Sequence, residues 1–122
     1  MMNGIGGSGD FARNAYLSIF ATKSVAKGGK VSSIVPMVTH VDHTEHDVDI
    51  IVTELGLADL RGLAPRERAE VIIEHCVAEP YRTMLRAYVA EAQTRGGQTP
   101  HVLEKAFAWH ARYRETGSML ET

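Results

Sequence analysis

A cluster of glycines stands near the start of the chain, with only three residues before it. Gly4, Gly6 and Gly9 fit the spacing G-x-G-x-x-G, which in dinucleotide-binding proteins joins a strand to a helix. A phosphate-binding loop is normally held by a preceding strand, and three residues cannot supply one. We therefore expect the chain to be the C-terminal part of a larger fold.

The residues after the glycines argue against a dinucleotide site. Such a site needs an acidic residue about 20 positions further on to bind the ribose, and residues 24–30 contain none. Two interpretations remain open. Either the glycines form a tight turn that uses their backbone freedom, or they let the backbone approach a ligand and offer N–H groups to an anion or a carbonyl oxygen.

The first half of the chain, residues 1–60, predicts the glycine loop followed by about three strands. A short helix is expected over Phe11–Tyr16, capped by Asp10, and strands are expected over Leu17–Thr22, Val31–Val38 and Val48–Thr53. Lys27-Gly28-Gly29-Lys30 is typical of a turn. Pro36 indicates an edge or a bulge near the end of the second strand.

The second half, residues 61–122, predicts about three helices. The first has Pro65 at its first position, the second begins near Pro80 and ends at Gly96-Gly97, and the third is capped by Thr99 with Val102, Leu103, Ala106, Phe107 and His110 on one face. Three strands make a poor free-standing sheet. We therefore predict an α/β fold class in which residues 1–122 form a single segment of an open parallel-sheet domain.

Composition and charge narrow the classes of function. The net charge of -2 gives no general electrostatic case for nucleic acid binding. No apolar run approaches the roughly 18 residues of a membrane span, and the basic-then-apolar pattern of a signal peptide is absent. Cys76 is the single cysteine, so neither a disulfide framework nor a thiolate metal cage is expected. These features favour a cytoplasmic location.

Two long motifs carry a family resemblance. NGIGGSGDFARNAYLSIF and SSIVPMVTHVDHTEHDVDIIVTELGLADLRGLAPRERAEVII occur in this order and resemble the C-terminal region of the acetyl-CoA hydrolase/transferase family, whose nearest members are succinyl-CoA:acetate CoA-transferases and acetyl-CoA hydrolases. The likeness runs from about Asn3 to Tyr81, and more weakly through TPHVLEKAFAWH. It implies a class I CoA-transferase built from two related α/β halves of the open parallel-sheet type.

The resemblance also implies a reaction and its partners. In this family a glutamate attacks acyl-CoA and forms a mixed anhydride and then a glutamyl-CoA thioester, and a small carboxylate such as acetate or succinate completes the exchange. The sequence around that glutamate has no match in this chain, so we expect the chain to be inactive alone and to need the N-terminal portion of the enzyme. A homo-oligomer with coenzyme A as substrate and no metal is expected.

Four positions match family residues that bind coenzyme A. The resemblance implies that Asn3, Gly6, Gly7 and Lys27 contact the coenzyme, and that Gly7 also shapes the site of the acyl oxygen. A lysine suits this role because its ammonium attracts phosphates. The alternative for Lys27 is a solvated surface lysine, which is the common case.

Glu54 matches a second active-site carboxylate of the family, near the nucleophile, where it would position or polarise that group. Two neighbouring carboxylates would also raise each other's pKa. The family usually has Gln at the next position, and this chain has Leu55. Glu54 follows an apolar strand, and open α/β sheets bind ligands at the carboxyl ends of strands. The alternative is that Glu54 caps a short turn over Leu57–Leu60.

The segment THVDHTEHD contains enough donors for a zinc or iron site, with His40, His43 and His46 spaced by three. It lies between two predicted strands, so a polar loop whose side chains hold one another is the favoured interpretation. Cys76 and the aromatic residues Phe107, Trp109 and Tyr113 are expected to be packing residues.

Three other functions stay open at this stage. The chain could be a non-catalytic module that binds coenzyme A as it stands, or an inactive fragment that folds only with its missing half and exposes strand edges. A metal hydrolase built on the histidine segment is the third.

Overall fold

The structure is a computed structural model that describes residues 4–121. Its helices are α1 (Ser8–Asn14), α2 (Pro65–Cys76), α3 (Tyr81–Thr94) and α4 (Ala108–Thr116). Its strands are β1 (Ile19–Ala21), β2 (Val25–Ala26), β3 (Val31–Ser32), β4 (Ile50–Thr53) and β5 (Gly56–Asp59). Short 3-10 turns cover Lys27–Gly29 and Glu45–Asp47. Asn3 lies outside the described residues.

The strands form a three-stranded sheet in the order β1-β4-β5 and a separate hairpin of β2 and β3. β1 and β4 are parallel, with Ile19 opposite Ile50, whereas β4 and β5 are antiparallel, with Thr53 opposite Gly56. The α/β class is confirmed, and a parallel pair is present. Because β1 and β4 run in the same direction, the segments that follow them begin at the same edge of the sheet.

The strand predictions differ from the structure at three strands, β2, β3 and β5. β3 ends at Ser32 and does not continue to Val38, because the Ser32 hydroxyl bonds to both the carbonyl and the amide of Ile34. This local turn removes those backbone groups from a strand ladder. The sequence patterns predict neither β2 nor β5. In β5, Gly56 and Asp59 are poor strand formers, and the strand forms by pairing along β4.

The helices at both ends of the chain begin at other residues than the sequence predicts. α1 begins at Ser8 after Gly7, and Asp10 lies in its first turn beside Arg13, with 2.5 Å between the carboxylate and guanidinium atoms. The third predicted helix is wrong over residues 100–107, which form turns before α4. The Tyr88 hydroxyl accepts a hydrogen bond from the Val102 amide at 3.1 Å, which holds this segment against α3.

The two central helices are confirmed. α2 begins with Pro65 at its first position, and α3 begins directly after Pro80. Past the end of α3, Gly96 and Gly97 have φ values of 79° and 91°, in the left-handed region that glycine adopts without strain.

The core lies between the helices and one face of the strands. Cys76 is fully buried, and burial raises the pKa of its thiol, as expected of an inert core cysteine. Trp109 is buried against Tyr81, with 5.5 Å between the ring centroids, whereas Phe107 is half-exposed. No helix of residues 4–121 has the length and apolar character to cross a bilayer.

Candidate functional site

Glu54 lies directly after β4, and both of its carboxylate oxygens accept hydrogen bonds from Ser24. The Ser24 amide donates to Oε2 at 2.8 Å, and the Ser24 hydroxyl donates to Oε1 at 2.5 Å. Ser24 is buried and lies three residues after β1, directly before the first strand of the β2–β3 hairpin. Glu54 therefore joins the segments that follow two parallel strands. It does not cap a turn over Leu57–Leu60, three residues of which belong to β5.

These hydrogen bonds lower the pKa of Glu54 below its ordinary value of 4.5. The Ser24 hydroxyl contributes most, followed by the Ser24 amide, and the charge of Lys23 acts in the same direction. Hydrogen bonds donated to a carboxylate favour its ionised form. Glu54 is consequently an anion at neutral pH, held in one orientation.

Lys27 lies at the tip of the β2–β3 hairpin, in a turn with unusual backbone angles. Lys27, Gly28 and Gly29 have φ values of 53°, 65° and 88°. Glycine adopts this left-handed region freely, but a lysine there is strained. The Lys30 amide closes the turn by donating to the Lys27 carbonyl at 3.3 Å. The Lys27 side chain is exposed to solvent.

The glycine loop is attached to the segment that precedes β4. The Ser8 hydroxyl donates to the Ile5 carbonyl at 2.6 Å, and it lies 2.9 Å from Nε2 of His43. Because the hydroxyl proton is already donated, Nε2–H of His43 is the donor in the second bond. The His43 ring packs edge-on against Phe20, with 4.8 Å between centroids. This network fixes the start of α1 over β1.

The two glycines that match the family motif have different local requirements. Gly6 has a φ of 58° and needs the backbone freedom of glycine. Gly7 has a φ of -76°, and a Cβ there would meet only the Phe11 ring, at 3.6 Å, which is an ordinary contact. The fold of the described residues therefore does not require glycine at position 7.

The structure brings the predicted site residues into two groups. Glu54 and Lys27 belong to one unit, because Ser24 links the Glu54 carboxylate to the hairpin that carries Lys27. Gly6 and Gly7 belong to the loop that His43 holds through Ser8. Among residues 4–121, no hydrogen bond joins the two groups.

The histidines of the polar segment make separate contacts. His40 pairs with Asp42 at 2.9 Å, His43 with Ser8, and the exposed His46 lies 3.6 Å from Glu45. Within the described part of the chain, no three or more His, Cys, Asp or Glu side chains are grouped closely enough to bind a metal ion. The segment lies between strands, as the sequence predicts.

A cavity of about 270 Å³ lies elsewhere, between α2, α3 and residues 98–101. Apolar side chains of both helices line it, including Ile72 and Leu85, and Arg66 also lines it. Neither Glu54 nor Lys27 lines this cavity.

Ser24, Ser8 and Tyr81 hold the candidate site, and no sequence pattern predicts them in that role. Ser24 is 30 positions from Glu54, and Tyr81 bonds to a carbonyl 52 positions away. No local pattern in one sequence links residues at such separations. Only the parallel pairing of β1 and β4 brings Ser24 beside Glu54.

The fold and the site define an α/β domain with polar groups at the carboxyl ends of two parallel strands, and comparison with known proteins gives the family. Residues 1–89 match the model of the acetyl-CoA hydrolase/transferase C-terminal domain. The chain is 68% identical over 120 residues to succinyl-CoA:acetate CoA-transferase of Clostridium kluyveri, and 55% identical to propanoyl-CoA:succinate CoA transferase of Escherichia coli. It is 50% identical to acetyl-CoA hydrolase of Yarrowia lipolytica.

Each of these relatives covers 98% of the chain, and the chain spans only 22–24% of their length. The crystal structure of RipA from Yersinia pestis aligns with 74% of the chain and 22% of its own, at a TM-score of 0.64 and 38% identity. The chain therefore belongs to the acetyl-CoA hydrolase/transferase family, as the sequence motifs predict.

Proposed function

We propose that this chain forms the C-terminal part of an acyl-CoA hydrolase or CoA-transferase. The enzyme would move coenzyme A between an acyl-CoA and a small carboxylate such as acetate or succinate. The observation that carries the proposal is the placement of Glu54 and Lys27 on one hydrogen-bonded unit at the carboxyl edge of β1 and β4. That edge is where open α/β sheets bind ligands.

The chemistry assigned to the whole enzyme starts outside this chain. A glutamate nucleophile attacks the thioester carbonyl, the CoA thiolate leaves, and a mixed anhydride forms. The thiolate then attacks the glutamyl carbonyl, releasing the carboxylate product and leaving a glutamyl-CoA thioester. An acceptor carboxylate reverses these steps, whereas water would make the enzyme a hydrolase.

Glu54 would act beside that nucleophile as a fixed anion. Ser24 keeps its carboxylate ionised and oriented, so it can accept a hydrogen bond or orient a donor near the reacting carbonyl. In this chain the pKa of Glu54 is lowered, because Ser24 donates hydrogen bonds to its carboxylate. The rise in pKa that we expect for two neighbouring carboxylates would occur only when the nucleophilic glutamate lies beside Glu54.

The glycine loop would stabilise the acyl oxygen. Backbone N–H groups of Gly6 and Gly7 are suited to this, and preorganised donors of this kind are each worth about 3–4 kcal/mol of barrier. The absence of a side chain at Gly7 is not explained by its backbone angle or neighbours. Close approach of a ligand explains it, and Asn3 would contact the coenzyme next to this loop.

The unpaired edge of β1 supports a larger enzyme around the chain. Within residues 4–121, β1 pairs with β4 alone. Phe11 on α1, Tyr16 in the segment after it and Ile19 on β1 itself are exposed. Exposed apolar side chains beside an open strand edge mark a surface that another segment covers. We assign this surface to the remainder of the enzyme; homo-oligomerisation and cytoplasmic location stay predictions.

Calorimetric titration of coenzyme A and acetyl-CoA into this chain tests the proposal. Lys27→Ala removes the phosphate partner and should weaken binding about tenfold or more. Gly7→Ala should also weaken coenzyme A binding, because the added methyl group would block the close approach of the ligand to the backbone. Lys105→Ala is the charge-matched control, since Lys105 pairs with Glu91 in the helical half.

The outcomes distinguish a chain that carries a coenzyme A site from one that is active alone and from one that binds no coenzyme A. Binding that weakens in both site variants and not in the control supports a coenzyme A site in this chain. Activity of the chain with acetyl-CoA would contradict the assignment of the nucleophile to another segment. A folded monomer that binds no coenzyme A would contradict the proposed contacts of Gly7 and Lys27.

A further inference from the structure

Tyr81 is a buried tyrosine at the start of α3 whose hydroxyl reaches the hairpin of the candidate site. It donates a hydrogen bond of 2.7 Å to the carbonyl oxygen of Gly29, and its side chain is only 1% exposed. Its ring packs against Trp109 in the helical core. The aromatic contact fixes the ring, so the hydroxyl is aimed at one point of the hairpin.

The segment that accepts this bond is the Lys27 turn, residues 27–29. All three residues have positive φ, and the first of them is a lysine. A strained backbone conformation of this kind persists when surrounding contacts fix it. The bond from Tyr81 to Gly29 is such a contact.

A second bond ties the same turn to the helical half of the chain. The Met119 amide donates to the Lys30 carbonyl at 2.7 Å. Met119 is buried in the same apolar cluster as Tyr81 and Trp109. At its other end, the hairpin is held by the bonds from Ser24 to Glu54. The hairpin that carries the Lys27 turn is therefore attached both at its tip and at its base.

We propose that Tyr81 is a positioning residue that fixes the Lys27 turn so that the lysine ammonium is presented to the phosphates of coenzyme A. The inference rests on the proposed function in that it takes the ligand of Lys27 from there. A side chain held on a fixed turn loses less conformational freedom on binding than one on a mobile loop. Burial raises the pKa of Tyr81, so the phenol remains protonated and a donor at neutral pH.

The test uses Tyr81→Phe, which removes the hydroxyl and keeps the ring against Trp109. Tyr88→Phe is the matched control, because the Tyr88 hydroxyl bonds to His101 and the Val102 amide, away from the hairpin. Tyr81→Phe should weaken coenzyme A binding about threefold to tenfold, the range for loss of one hydrogen bond. It should have no further effect in the Lys27→Ala background. Tyr88→Phe should leave the affinity unchanged.

Hydrogen exchange of the Lys30 amide, which closes the turn, gives a readout that needs no ligand. It should become several-fold faster in Tyr81→Phe and stay unchanged in Tyr88→Phe. If the unchanged chain bound no coenzyme A, the proposed function would fail for this chain, and this exchange rate would decide whether Tyr81 fixes the turn. Unchanged exchange, or an affinity loss that persists without Lys27, would overturn the inference.

Discussion

Ser24 donates two hydrogen bonds to one carboxylate, that of Glu54, from its amide at 2.8 Å and its hydroxyl at 2.5 Å. The bonds join the residue after β4 to the residue directly before the hairpin that carries Lys27. A proposed catalytic carboxylate and a proposed phosphate contact thus share one support. Loss of the negative charge of Glu54 should therefore weaken the two hydrogen bonds that hold the hairpin.

The first prediction concerns the pKa of Glu54. In the unchanged chain it should titrate below 4.5, because Ser24 stabilises the ionised form. In Ser24→Ala the pKa should rise toward 4.5, since the largest contribution is lost. Carbon chemical shifts of the Glu54 carboxyl group, followed over pH, give the value. Ser33→Ala is the control, and an equal pKa in all three proteins would contradict the assignment.

The same shift predicts how stability depends on pH. A carboxyl group with a lowered pKa in the folded state contributes stability above its ordinary pKa. That contribution is lost as the pH falls through the folded value. The pKa of Asp59 is lowered to about 2 by the guanidinium of Arg61, and it acts in the same direction. Urea unfolding should therefore show stability falling as the pH drops below 4.5, and less steeply in Ser24→Ala.

A second prediction concerns Gly56, the first residue of β5. A Cβ at this position would lie 2.6 Å from the carbonyl oxygen of His75, a main-chain atom near the end of α2. Either the strand or the helix must move, so Gly56→Ala should lower the free energy of unfolding by about 1–3 kcal/mol. In Gly4→Ala the added Cβ meets nothing within 4 Å. Equal unfolding midpoints for the two variants would contradict the packing of β5 against α2.

A third prediction separates the observed turn before α4 from the helix that the sequence predicts there. Val102 is fully buried, and its neighbour Leu103 is 78% exposed. Val102→Ala should therefore destabilise the chain by about 1–3 kcal/mol. Leu103→Ala should change the stability by less than about 0.5 kcal/mol. Comparable losses for both would indicate the helix, which places both residues on its apolar face.

Proline and glycine residues in the sequence predict where the two central helices begin or end. Pro65, Pro80 and the pair Gly96-Gly97 have backbone preferences that act within a few residues, and α2 and α3 begin or end beside them. The third predicted helix is wrong over residues 100–107, where the Val102 amide donates to the Tyr88 hydroxyl and holds the segment against α3. That partner is 14 residues away and has no sequence signature.

The residues of the candidate site also fall into those that the sequence indicates and those that only the fold brings into place. Glu54 could be singled out because it follows an apolar strand, and Gly7 and Lys27 through the family motifs. Their supports could not, because the bonds from Ser24 and Tyr81 depend on which segments the fold brings together. Whether these residues contact coenzyme A stays a prediction.

The most direct test of the central claim is a map of backbone amide chemical shifts of this chain during titration with coenzyme A. We expect saturable shifts in two places, at Gly6 and Gly7 and at the Lys27 turn, with a common dissociation constant. Shifts confined to residues around the apolar cavity between α2 and α3, such as Ile72 and Leu85, would contradict it. So would a folded chain whose spectrum does not change.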